Sequence, residues 1–266
     1  MGNFLILGGG FTARRVARRL VEAGADVIVT NLRRAELAGA RCLALDVTDG
    51  ASVRDLAAFL SSGTVILHSI PFLTGTPELV DFLRPFRPAR FVYLSTTGVY
   101  GPAELVNERT VPRPETDRDR ERIETENFLC TGSWSTLILR PAAIYGPGRG
   151  VHVAARQGVF RPPPGGNRVI SRIHVDDLAE HTLRALQSKV TGAFPVADEE
   201  PCTSLEVAEW TFGYLGIPFI PGDTETARGR RVDGSAVRAA LGVQLQYRSF
   251  REGVPACLAA ENRAMA

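Results

Sequence analysis

Lysine is almost missing from this chain. Lys189 is the one lysine in 266 residues, so nearly all of the 31 basic side chains are arginine. Against 29 acidic residues they leave a net charge of +2. That balance, with no block of like charge, argues against a nucleic-acid partner. Cys42, Cys130, Cys202 and Cys257 lie far apart, with no C-x-x-C pair and no histidine cluster beside them. This excludes a disulfide framework and a zinc site, expects no metal, and suits a reduced compartment. No run of ~20 apolar residues exists to span a bilayer, so no membrane partner is expected. Met1–Leu7 runs directly into Gly8-Gly9-Gly10 without a cleavable leader, and a cytoplasmic protein is expected. What remains is 44% hydrophobic and 23% charged, the make-up of an ordinary globular protein and not of a disordered or fibrous one.

Short apolar runs alternate with helical patterns. Phe4–Leu7, Asp26–Thr30, Cys42–Leu45, Val65–His68, Arg90–Ser95 and Thr136–Arg140 read as strands. Helices are expected over 12–23, 51–61, 77–84 and 116–129. In the first, Val16, Leu20 and Ala23 share a face while Arg14, Arg15, Arg18 and Arg19 turn to solvent. Alternation of this kind predicts βαβ units, hence an α/β, Rossmann-type, doubly wound parallel sheet. Proline and glycine crowd 141–150 and 161–166, so the chain divides into a dinucleotide-binding domain over 1–150 and a mainly smaller C-terminal lobe over 151–266. A helix near 175–186 is expected to return to the sheet, and further helices over 204–215, with a Ser N-cap, and 234–241.

Gly8-Gly9-Gly10-Phe11-Thr12-Ala13 fits G-x-G-x-x-G/A at the end of the first strand and the start of a helix. Gly8 makes the tight turn, Gly10 lets the backbone approach a pyrophosphate, and Ala13 lets helix pack on strand. Phe11 and Thr12 open the helix whose free N–H groups and dipole would meet the phosphates. After the second strand comes Thr30-Asn31-Leu32-Arg33-Arg34, with no acid before Glu36 to bind a ribose 2′-hydroxyl. Arg33 or Arg34 would pair with a 2′-phosphate, so NADP leads and NAD stays open. Asp46-Val47 ends the third strand at the sheet's ligand edge. Asp46 either accepts from an adenine amino group or caps the helix near Ala51. Ser69, after the fourth strand, is a further cofactor-facing candidate.

Together with the glycine turn, Ser95-Thr-Thr-Gly-Val-Tyr-Gly101, Leu139-Arg-Pro-Ala-Ala-Ile-Tyr-Gly-Pro-Gly-Arg149 and Arg172-Ile-His-Val-Asp-Asp-Leu178 resemble extended and atypical short-chain dehydrogenases/reductases, the NAD(P)-dependent epimerase/dehydratase group. These motifs occur in that family's order. The resemblance implies a hydroxyl on the substrate oxygen at Thr96, a homodimer through the helices near 77–84 and 116–129, and Asp176 or Asp177 capping the helix that follows. It also implies a Tyr-x-x-x-Lys pair that moves a proton while hydride moves.

That pair is missing. Between Tyr100 and Tyr145 there is no tyrosine, and the lysine lies at 189. The segment that should carry it puts Arg118 at the Tyr place, Arg122 at the Lys place and Glu126 at the acid that follows. Arg122 keeps a donor for a ribose hydroxyl or phosphate. Arg118 cannot give up a proton, because guanidinium stays charged above pH ~12. Substitute donors are Tyr100, Tyr145, His68 and His174, with Tyr100 first. Two functions fit: an oxidoreductase, epimerase or dehydratase acting on a small polar, anionic substrate, or a non-catalytic dinucleotide sensor or regulatory subunit. Arg161-Pro-Pro-Pro-Gly-Gly166 and Arg228, Arg230 and Arg231 either line an anion site or sit on a solvated surface.

Overall fold

A computed structural model describes residues 2–33, 36–70, 76–161, 167–221 and 226–265. The first half of the chain runs β1 (Asn3–Leu7), α1 (Ala13–Glu22), β2 (Asp26–Asn31), β3 (Arg41–Ala44), α2 (Gly50–Arg54), β4 (Val65–His68), α3 (Thr76–Leu83), β5 (Arg90–Leu94), β6 (Leu105–Val106) and α4 (Asp117–Leu129). Then follow β7 (Ser135–Pro141), β8 (Ala143–Tyr145), α5 (Val151–Arg156), β9 (Asn167–Ile170), β10 (Arg172–His174), α6 (Val175–Gln187), β11 (Gly192–Val196), β12 (Cys202–Thr203), α7 (Ser204–Leu215), β13 (Thr226–Val232), α8 (Ser235–Leu241) and α9 (Phe250–Met265).

Seven strands make one all-parallel sheet in the order β11-β7-β5-β4-β1-β2-β3. Strand alternation divides its residues between two cores. Phe4 and Ile6 of β1 pack under α1 and α6 with Val16, Ala17, Leu20, Leu178 and Ala179. Leu5 and Leu7 face the other way, toward Leu79, Val80 and Leu83 of α3 and Leu129 of α4. Both faces are thus covered, as a parallel sheet requires. The strand order reverses between β1 and β4, and ligands of open α/β sheets gather at such a switch point.

A second sheet, β12-β9-β13-β6, forms the lobe. Its edge strand β6 comes from within residues 1–150, and in exchange β11 from the C-terminal part joins the large sheet beside β7. α6 lies on the large sheet against α1, tied by Arg15–Asp176 at 2.8 Å and Arg19–Glu180 at 2.7 Å. The helix expected over 51–61 breaks into α2 and a 3-10 turn at Asp55–Phe59. α7 starts one residue differently: Thr203, not Ser204, is its N-cap, in a capping box with Glu206.

Candidate functional site

The end of β2 holds the glycine turn in place. Thr30 O accepts from the N–H groups of Gly8 (3.1 Å) and Gly9 (2.9 Å), and Asn31 Oδ1 accepts from Gly9 N–H at 2.9 Å. Gly8 has φ +89°, and a Cβ there would stand 2.8 Å from Ile70 Cγ1. Gly9 is as confined, since its Cβ would fall 2.8 Å from Asn31 Nδ2 and Val29 Cγ1. Gly10 is different: a Cβ there would meet nothing within 4 Å. Its open side faces a cleft of about 1440 Å³. That exceeds the ~300–1,000 Å³ of most small-molecule sites. Among the described residues, no acceptor takes the N–H groups of Gly10, Phe11 or Thr12 at the head of α1. A confined turn, free N–H groups and an open side are what a dinucleotide pyrophosphate needs, and these residues fit it.

The same cleft is lined by Gly8, Gly10, Phe11, Thr12, Asp46, Val47, Ser69, Thr96 and Arg122, nine of the twelve candidates named from the sequence. Of the other three, Arg33 is exposed beyond its lining and Arg34 lies outside the described residues. Tyr100 is 1% exposed and outside the lining, with its hydroxyl taken by Arg140 Nη1 at 3.1 Å. Burial raises its pKa further. A phenol so placed has no path to a reacting group in the cleft. Tyr145, His68 and His174 are equally buried and off the lining. Tyr145 donates to Ser249 O at 3.2 Å, and burial raises its pKa. His174 caps α6, its Nδ1 accepting from Asp176 N–H at 3.2 Å. Neither expected aspartate does so: Asp176 pairs with Arg15, and Asp177 accepts from the N–H groups of Gln246 and Tyr247.

Asp46 is not a helix cap either. Asp49 caps α2, while Asp46 Oδ1 accepts from Thr48 N–H (2.9 Å) and Oγ1–H (2.6 Å), which lowers its pKa. Thr96 caps a 3-10 turn, its Oγ1 accepting from Gly98 N–H at 3.1 Å and leaving its own proton to give. Ser95, the neighbour of Thr96 in the same motif, also lines the cleft, and its buried Oγ has no partner among the described residues.

α4 divides its arginine-rich surface sharply. On its inner side Glu126, 3% exposed, receives Arg140 through Nε at 3.1 Å and Nη2 at 2.5 Å, and Arg140 in turn reaches Tyr100. On the cleft side stand Arg118 and Arg122. Arg122 donates to the hydroxyl of Tyr93, whose pKa burial pushes up to about 12 despite that cation. Beneath it, burial first and the Arg122 charge second pull His68 down to about 3, so the imidazole stays neutral. Arg149, Arg168, Arg228 and Arg230 bring the cleft's arginines to six. The one carboxylate is Asp46, and among the described lining residues there is no Tyr, His, Cys, Lys or Glu. Arg230 is committed to the backbone carbonyls of Thr97, Gly101 and Ala103, stapling β13 to the Thr96 turn. Arg231 lines a separate cavity of about 400 Å³ with Asp198 and Arg238. Pro162–Gly166 lie outside the described residues.

No family model matches the chain. A curated relative, the 3-diazoavenalumate denitrifying reductase of a Streptomyces species, is 30% identical over 156 residues, 49% of this chain and 50% of its own length. The chain therefore spans about half the length of that relative. Among solved structures, an NAD-dependent epimerase/dehydratase from Methylobacillus flagellatus superposes with a TM-score of 0.86 at 25% identity, covering 98% of this chain and 99% of the other. The Bordetella bronchiseptica enzyme WbmG, in complex with NAD and UDP, superposes at 0.81 with 18% identity over 98% and 94%, a likeness of fold alone. With its seven-stranded parallel sheet and its glycine turn, the chain has the Rossmann-like fold of the NAD-dependent epimerase/dehydratase structures it resembles.

Proposed function

We propose that the protein is an NADP-dependent oxidoreductase of the cytoplasm that acts on a small anionic substrate. One observation carries the reading: a single cleft joins the glycine turn at one end to Thr96 and five arginines at the other. A bound nicotinamide would supply hydride chemistry there. The chain's own groups bind and orient. Gly10, Phe11 and Thr12 offer N–H groups to phosphate. Thr96 Oγ1–H donates to the substrate oxygen. Arg122, fixed by Tyr93, takes the Lys place as a cation but gives up no proton. Arg168 and Arg228, from neighbouring lobe strands, draw an anionic group toward the Thr96 end. Preference for NADP over NAD rests on Asn31, a neutral amide where an acid would favour a 2′-hydroxyl, and on exposed Arg33. The relative from Streptomyces, itself a reductase, supports redox chemistry over epimerisation.

A second reading, a dinucleotide-binding sensor without chemistry, has its own support in a cleft whose described lining holds no proton donor apart from hydroxyls. Parallel calorimetric titration with NADPH and NADH, with Gly10→Asp as control, tests the shared premise. Tight NADPH binding that the control abolishes supports both readings. Oxidation of NADPH at 340 nm across a panel of carboxylated and phosphorylated acceptors then favours the enzyme, and silence across that panel favours the sensor. Binding of neither dinucleotide removes both.

A further inference from the structure

We infer that Arg149 is a clamp for a diphosphate, held over the glycine turn by Glu261 of the C-terminal helix; this rests on the dinucleotide reading above. The loop after β8 is closed on itself. Gly146 N–H donates to Arg149 O and Arg149 N–H to Gly146 O, both at 2.9 Å. Gly148, at φ +79°, and Gly150, at φ +143°, make the turn possible. The loop also leans on the glycine turn: a Cβ on Gly146 would come within 3.1 Å of Phe11 Cζ. The Arg149 guanidinium stands 5.5 Å from the centre of the Phe11 ring, and Arg15 lies 4.4 Å from the same centre. Of these two cations, Arg15 is spent. Its Nε donates to Asp176 at 2.8 Å and its Nη1 to Phe11 O at 2.9 Å. Arg149 has no carboxylate within salt-bridge distance among the described residues, and it lines the cleft beside Gly10 and Thr12.

Glu261 fixes this arrangement from more than a hundred residues away in the chain. Its Oε1 accepts Gly148 N–H at 2.7 Å and His152 Nε2–H at 3.1 Å, and its Oε2 accepts Arg156 Nη1 at 2.7 Å. The carboxylate is thereby used on Arg156 and on the loop backbone, so the neighbouring Arg149 keeps its full charge for a ligand. Burial keeps His152 below its ordinary pKa, a neutral donor in this network. A guanidinium is suited to two phosphoryl oxygens at once, and the free N–H groups at the head of α1 would face the same ligand from the other side. Glu261 is a positioning residue here, and Arg149 the binding one.

The test is calorimetry on the full-length protein with NADPH, NADH, ADP and adenosine, using wild type, Arg149→Gln, Arg149→Lys and Glu261→Gln. Arg149→Gln is expected to weaken both dinucleotides and ADP about 10- to 100-fold while leaving adenosine unchanged, because the lost bond is to phosphate. Arg149→Lys should recover part of that loss, a point charge without the fork. Glu261→Gln should weaken ADP several-fold relative to adenosine. Equal loss for ADP and adenosine would mean a general structural role and overturn the clamp, as would wild-type affinity in Arg149→Gln. Exposed Arg149 leaves the fold intact when changed, so that arm stands even if Glu261→Gln melts early. If wild type binds none of the four probes, the dinucleotide reading itself falls and the clamp with it.

Discussion

The two ends of the cleft are built from different materials. At the glycine turn the ligand-facing groups are backbone N–H groups, set by one positive φ, two packed glycines and the start of a helix. At the α4 end they are side chains: Thr96, Arg118 and Arg122. A backbone site survives as long as the turn keeps its shape, whereas a side-chain site changes chemistry with one substitution. Here the first end keeps glycines at fixed spacing on a packed turn, and the second carries two arginines, Arg118 and Arg122. What shapes the turn and what lines the α4 end are thus separable properties of one fold.

The sharpest way to test that division is on α4 itself, whose inner and cleft-facing sides should respond very differently. Glu126→Ala removes one partner of a buried pair and leaves the Arg140 guanidinium, with its side chain 9% exposed, uncompensated. Stability should fall by about 3–5 kcal/mol, read by urea denaturation. Arg118→Ala, on the exposed cleft side of the same helix, should stay within about 0.5 kcal/mol. If both cost the same, α4 is not divided as described.

At the turn, the next largest effect is expected from Gly8→Ala. A side chain there meets Ile70 at 2.8 Å and must hold φ +89°. A loss of about 1–2 kcal/mol in stability is expected, together with weaker NADH binding. This end was legible in the sequence because its requirement is conformational, and conformational requirements leave glycines at fixed spacing. The parallel sheet was legible for the same kind of reason: its strands are buried on both faces and read as apolar runs. What stayed hidden was decided by distant packing. β11 contains Pro195 and pairs only at the sheet's edge, and α9 carries Pro255 inside it, so neither shows a clean local pattern. Tyr100 was an attractive donor by its place after β5, yet Arg140, 40 positions away, takes its hydroxyl. Asn31 and Glu261 could not be found by spacing at all, since their partners lie 22 and more than a hundred residues off.

A smaller effect separates the two ends directly. Arg122→Met keeps length and removes the cation. If Arg122 serves the nicotinamide half of the cofactor, NADH affinity should drop about 10-fold while ADP affinity holds. Loss of both would place Arg122 in the fold, through Tyr93, and not in the site.

The smallest expected effect is none, and it discriminates well. Between pH 7 and 9 NADH affinity should stay constant within about twofold, because the cleft's described lining offers permanent arginines, hydroxyls and the lowered Asp46, none of which titrates there. The groups just behind the lining are moved away from this window in opposite directions, His68 to about 3 and Tyr93 to about 12. Stability, by contrast, should respond on the acid side. An unfolded histidine takes its proton near pH ~6.5, while folded His68 refuses it until about 3, so between these values the unfolded chain binds more protons. Stability is therefore complete above pH ~6.5 and drains as pH falls toward 3. His174 and His181, each held near 4 chiefly by burial, act in the same sense. His68→Asn, whose Oδ1 can still accept the Ile70 N–H that Nδ1 now takes at 3.2 Å, should make the acid limb of the denaturation midpoint shallower without moving NADH affinity at pH 8. A change in that affinity would tie the buried imidazole to the cleft and break the separation between what holds the fold and what meets the ligand.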